Sequence, residues 1–352
     1  MSIFIRNAWY VAASSDEIGS EKPLGRTICN IQIAFFRDSK DQVQAVEDFC
    51  PHRGAPLSLG YVEGDNLVCG YHGLQMGADG STQSMPSQRV EKFPCIKQIP
   101  VVERYGFIWI WPGDKQAADD SLIPVLEWAL DPKWAYGGGL YHIKCDYRLM
   151  IDNLMDLTHE TYVHASSIGQ KEIDETPVKT TMEGTQVVTS RYMEGILPPP
   201  FWQNALQANG LPTDQPVDRW QICRFDAPSH VMIEVGVAMA GKGGYEAPAD
   251  QKANSTVVDF ITPETDGSIW YFWGMARNFK SDDEALTASI REGQGQIFSE
   301  DLEILERQQQ NLDRFPDRHL LKLDIDAGGV QARRIIERTI KREQPSATSG
   351  AA

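Results

Sequence analysis

The chain has 352 residues, enough for two domains that each bury a core without disulfide staples. Its 33 Lys and Arg against 49 Asp and Glu leave a formal charge of -16, which repels phosphate backbones and anionic lipid and argues against nucleic-acid or membrane partners. No apolar run is long enough for a bilayer, and the opening MSIFIRNAWYVAASSDEIG has no secretory apolar core, so a cytoplasmic location is expected. From Asn7 to Pro112 the pattern predicts short strands punctuated by Gly and Pro, with 31–36 and 106–111 the clearest. The polar stretch 114–120 predicts a linker, dividing the chain into an all-β part over 1–115 and a mixed part over 121–343. The second part starts with a helical stretch near 149–164. Strand patterns follow at 186–192, 230–237, 256–262 and 268–277, so an α+β arrangement of antiparallel sheet and helices is expected. The runs 137–139, 198–200 and 241–244 are expected to be loops. Helix resumes over 282–342, with Ile297, Asp301, Ile304, Leu305 and Gln308 on one face, and the tail 344–352 has a disordered composition.

Two constellations carry chemistry. The segment FCPHRGAPLSLGYVEGDNLVCGYHG holds the pairs Cys50 with His52 and Cys69 with His72, each within a tight turn. Two thiolates and two imidazoles would satisfy a tetrahedral structural zinc. They equally suit a 2Fe-2S centre with two Cys on one iron and two His on the other, to which each loop gives one ligand per iron. A zinc ribbon more often uses two C-x-x-C knuckles, which favours the cluster. Cys29, Cys95, Cys145 and Cys223 have no ligand spacing and are expected to be buried thiols.

In DYRLMIDNLMDLTHETYVHASSIG an apolar framework is interrupted by Asp152, Asn153, Asp156, His159 and His164. Any one of them could be a satisfied core hydrogen-bonder. His159 and His164 are five apart, so they converge on one ion only at a helix end or a π-bulge. Two imidazoles and one carboxylate with open positions are the ligand set of non-haem Fe(II) oxygenases. Asp301 falls on the apolar stripe of the C-terminal helix and supplies the carboxylate, with Asp259 and Asp283 in reserve; Glu300 and Glu303 read as surface acids. Asp156 precedes His159 by one helical turn, from where its carboxylate would orient that imidazole.

Pro51, Arg53, Gly54 and the run Gly70-Tyr71-His72-Gly73 around the first pairs, followed by N-x-x-D-x-x-H-x-x-x-x-H and a distant Asp, resemble the Rieske non-haem iron oxygenases over nearly the whole chain. The resemblance is to the branch that demethylates aromatic methyl ethers, and includes RNAWYVA, DNLMDLTHETYVHASSIGQKEID and VDRWQICRF. It implies an all-β Rieske 2Fe-2S domain and a helix-grip catalytic domain. It also implies a mononuclear non-haem Fe(II) held by His159, His164 and Asp301, and a homotrimer. Asp156 matches the family residue that bridges a cluster histidine of one subunit to an iron histidine of the next, and Asn153 matches a residue near the iron.

The implied reaction consumes dioxygen and hydroxylates a methoxy carbon, giving a hemiacetal that collapses to a phenol and formaldehyde. Vanillate, giving protocatechuate, is the first expectation, with another methoxybenzoate or aromatic-ring hydroxylation as alternatives. The chain has no G-x-G-x-x-G after a strand and no further cysteine cluster, so a separate flavin and 2Fe-2S reductase using NAD(P)H is expected. Arg191, Arg219, Arg224, His230 and Arg277 qualify by type to meet a substrate carboxylate, and Trp270, Tyr271 and Trp273 could line its pocket.

Overall fold

Short strands and tight turns account for the first part of the chain. The structure, a computed structural model, describes residues 3–344 apart from 87, 166, 167 and 170. The expected disorder of the tail falls, past residue 344, outside the described residues. Two units are present, one of 3–125 with 262–266 and 339–344, the other of 126–261 with 267–338. The first is three small antiparallel sheets. Tyr10–Ser14 pairs with Phe107–Ile110 and that with Val101–Arg104; Leu24–Ile28, Ile31–Arg37 and Val43–Glu47 form the second sheet; Tyr61–Glu63, Asn66–Val68, Gln75–Gly77 and Thr82–Ser84 form the third. Cys29 and Asn30, both at positive φ, close the Ile28–Ile31 hairpin in the mirror-image turn that suits strand twist. Phe36, Val46, Leu57, Leu67 and Met76 make an apolar core that also contains Cys50 and Cys69.

The second unit is built on a seven-stranded antiparallel sheet. Its order is Ala135–Ile143, Ser268–Arg277, Lys252–Thr265, His230–Met239, Val217–Asp226, Gln186–Ile196 and Lys179–Glu183. The long helix Glu284–Arg314 packs on the first two of these strands. Along Val217–Asp226 the side chains alternate: Trp220 and Ile222 join a cluster with Val188 and Ala247, while Val217 joins Trp202, Leu206 and Phe279. The fold is α+β with an all-β N-terminal part, as the sequence predicts.

Four local expectations need correction. The glycine run 137–139 is not a loop but the middle of the edge strand Ala135–Ile143. There a Cβ on Gly139 would stand 2.6 Å from the Trp273 ring, so the missing side chain makes room for an indole rather than for a turn. The triple proline is only partly loop, since Pro200 starts the helix Pro200–Ala208 at a position where its missing N–H costs nothing. Helix over 282–342 breaks after Arg314: Phe315 precedes Pro316, which disfavours the α region for it, and helix resumes at Ala327–Glu343. The stretch near 149–164 is two helices, Tyr147–Leu154 and the single turn Glu160–Val163.

Candidate active site

The Cys/His loops share one backbone design. Cys50 N–H donates to Ala55 O and Gly54 N–H to Cys50 O, each at 2.8 Å; in the second loop Cys69 N–H donates to Leu74 O at 2.8 Å and Gly73 N–H to Cys69 O at 2.9 Å. Both glycines, four residues after their cysteine, take φ near +70°, which closes each loop at low cost only without a Cβ. The thiols of Cys50 and Cys69 are buried. Burial raises the Cys50 thiol pKa, the His52 backbone amide pulls it down, and Cys69 raises it again. His52 and His72 are exposed, with ring centroids 4.5 Å apart. The donors are thus sorted into a buried sulfur pair and a surface nitrogen pair, and this segregation fits a two-iron centre better than a single tetrahedral ion. Of the other cysteines, Cys29, Cys145 and Cys223 are buried as expected, whereas Cys95 is exposed.

In the second unit, His159, His164 and Asp301 each offer one ligand atom within 4.8 Å of the others. The chain achieves this with helix ends, not a π-bulge. Asp156 Oδ1 accepts from Thr158 N–H at 2.6 Å and from Thr158 Oγ1 at 2.7 Å, a local turn that competes with helix and ends the first segment. His159 then stands at the N-cap of the single turn Glu160–Val163 and His164 at its C-cap. Asp301 is buried on the long helix, with Asn153 Nδ2 donating to its Oδ1 at 2.9 Å. Its carboxylate oxygens lie 3.7 Å from His159 Nε2 and 3.3 Å from His164 Nε2.

Both imidazoles are held from behind. His159 Nδ1 meets the backbone carbonyl of Asp156 at 2.8 Å, so the expected contact from the Asp156 carboxylate is replaced by one from its main chain. His164 Nδ1 meets Glu300 Oε2 at 2.6 Å, and Glu300 is therefore not the surface acid that its neighbours suggest. Burial works against a charged His164, but Asp301 and Glu300 outweigh it and raise its pKa. Asn153 Oδ1 is buried without a hydrogen-bond partner among the described residues. Two imidazoles presenting Nε2 to a buried carboxylate, beside an orphaned acceptor, fit a bound divalent cation. The reserve carboxylates do other work. Asp259 accepts from Tyr271 OH at 2.6 Å, and Asp283 caps the long helix through Leu286 N–H.

The triad forms part of the wall of a cavity. Phe201, Trp202, Phe298, Ile233, Val257 and Met275 give it an apolar lining. The expected aromatic liners Trp270, Tyr271 and Trp273 do not line it: Tyr271 and Trp273 sit behind Phe298 as core, and the Trp270 ring meets His142 at a tilt. Among the five basic residues proposed by type, Arg219 lines the cavity; Arg191, Arg224, His230 and Arg277 do not. Gln221, Gln294 and Glu160 line it as well and carry no motif, although Glu160 directly follows a predicted ligand.

Comparison with known proteins identifies the domains that carry the two constellations. Residues 8–100 match the Rieske [2Fe-2S] domain and residues 143–342 match the vanillate O-demethylase oxygenase C-terminal domain. The vanillate O-demethylase oxygenase subunit of Pseudomonas sp. (strain HR199 / DSM 7063) is 68% identical, covering 98% of this chain and 97% of that protein. The toluene-4-sulfonate monooxygenase iron-sulfur subunit TsaM1 of Comamonas testosteroni is 36% identical over 97% of this chain and 98% of its own length. Dicamba monooxygenase with non-heme iron and dicamba superposes with a TM-score of 0.83 at 32% identity, covering 97% of this chain and 98% of that one.

Proposed function

The chain belongs to the vanillate O-demethylase oxygenase family of Rieske non-haem iron monooxygenases, and from that premise we propose that it demethylates vanillate to protocatechuate and formaldehyde. As an oxygenase component it works with a partner reductase on an aromatic substrate. The observation that carries the reading is the convergence of His159, His164 and Asp301 on the wall of an apolar cavity. Vanillate and toluene-4-sulfonate, named for two relatives, are both aromatic anions, in keeping with a cavity that combines apolar walls with Arg219.

When bound, the cluster supplies electrons singly and the mononuclear iron activates dioxygen beside the substrate. Cys50, His52, Cys69 and His72 would hold the cluster, and His159, His164 and Asp301 the iron. The chain's own work is placement. Asn153 fixes the Asp301 carboxylate, while the Asp156 carbonyl and Glu300 hold the two rings with Nε2 turned towards Asp301. Phe201, Trp202 and Phe298 sequester the aromatic ring from water so that its methoxy carbon can be presented to the triad. The proposal extends to a 1–115 cluster domain, a 121–343 catalytic domain, a cytoplasmic homotrimer, a flavin and 2Fe-2S reductase using NAD(P)H, and Asp156 as the electron-transfer bridge between subunits. It is in keeping with this location that no described helix is long and apolar enough to cross a membrane.

The test is turnover. Purified protein with a surrogate reductase, dioxygen and vanillate should yield equal amounts of formaldehyde and protocatechuate. Asp301→Ala should abolish the yield and lose the mononuclear iron while leaving the Rieske electron paramagnetic resonance signal. A colourless zinc protein without sulfide, or no formaldehyde from any methoxybenzoate, refutes the reading.

A further inference from the structure

An aromatic acid entering an apolar cavity must find a partner for its carboxylate, because an uncompensated buried charge is costly. Among the described residues lining the cavity, Arg219 is the one side chain of fixed positive charge. It lies on the strand Val217–Asp226 two residues before Gln221, so both face the same side of the sheet, and Gln221 pairs with Val235 of the cavity wall. Glu160, the residue after His159, ties this edge together. Gln221 Nε2 donates to both of its carboxylate oxygens, at 2.7 and 2.9 Å, and Arg219 Nη2 stands 4.0 Å from Oε2. Arg191 Nη1 in turn donates to Gln221 Oε1 at 3.2 Å.

Resting on the demethylase reading, we propose that Arg219 determines specificity by binding the substrate carboxylate, with Glu160, itself held by Gln221, set beside its guanidinium. A guanidinium carries five donors in a planar fork; two suffice for a carboxylate, which leaves an edge for Glu160. The triad must face the methoxy carbon, so the acid group has to be held at another part of the wall, and Arg219 supplies it. Glu160 also offsets the arginine charge when no substrate is bound.

The probes are vanillate and its primary amide, which keeps the shape and removes the charge. Binding to the iron-loaded protein is measured by thermal-shift titration, with formaldehyde release followed in parallel. The wild type should bind the acid at least roughly tenfold more tightly than the amide. Arg219→Gln should weaken the acid by roughly 10- to 100-fold and leave the amide nearly unchanged, and Arg219→Lys should recover part of the preference. Equal weakening of both probes in Arg219→Gln would mark a merely structural arginine and overturn the proposal, as would an unchanged preference. Should neither variant fold, the wild type decides, since an acid-to-amide ratio near one is incompatible with the proposal. A wild type that prefers the acid but releases no formaldehyde refutes the reaction and leaves the subsite standing.

Discussion

Glu300 and Asp301 are adjacent on one helix, yet both reach His164, one at Nδ1 and the other near Nε2. A carboxylate behind a ligating imidazole fixes its tautomer and strengthens it as a donor. Glu300→Ala should therefore lower iron affinity by roughly 10- to 100-fold, read as iron retained against graded chelator, with the Rieske absorption unchanged. Asp259 offers a different test at the same scale. Burial drives its carboxyl up to about 8; the Tyr271 hydroxyl pulls it back and Asp301 pushes it further. Because the folded-state value exceeds the unfolded one, the stability it contributes is full below the ordinary value of 3.8 and is lost as pH rises through about 8. Asp259→Asn keeps an acceptor for Tyr271 and cannot ionise. Its Tm relative to wild type should rise steadily between about pH 4 and about pH 8, and parallel Tm curves would count against the buried acid.

The Gly139–Trp273 contact predicts that Gly139→Leu overpacks the sheet by about 1–3 kcal/mol, measurable by urea unfolding. Trp273 packs on Phe298 of the cavity wall, so the same variant should also weaken substrate binding. That strand was hard to read because glycine depresses strand propensity, whereas Ser268–Arg277 beside it, rich in Trp, Tyr and Phe, was readable to the residue. Asp301 was legible as a polar residue on an apolar stripe, but the phase of the stripe was not. Ile304 is half exposed and Gln308 exposed, and the buried line runs through Gln294, Ile297, Phe298, Asp301 and Leu305. Glu300 stayed hidden because its partner is 136 residues away and no local pattern marks it. The loops that carry the two Cys/His pairs were legible, since cysteine, histidine and the loop-closing glycine all fall within six residues.

The proposed bridge predicts that Asp156→Asn leaves both metals bound while electron transfer from a pre-reduced cluster slows by orders of magnitude. The variant is a clean probe because an asparagine oxygen can still accept from Thr158, preserving the turn that places His159. Single-turnover oxidation with substrate and dioxygen decides, and a wild-type rate would rule the bridge out. Two of the three proposed ligands cap one short helical turn held by a few local backbone hydrogen bonds, so one backbone segment sets the position of both imidazoles. Losing the ion should loosen this segment, and amide hydrogen exchange across it should report how much of a preparation is loaded.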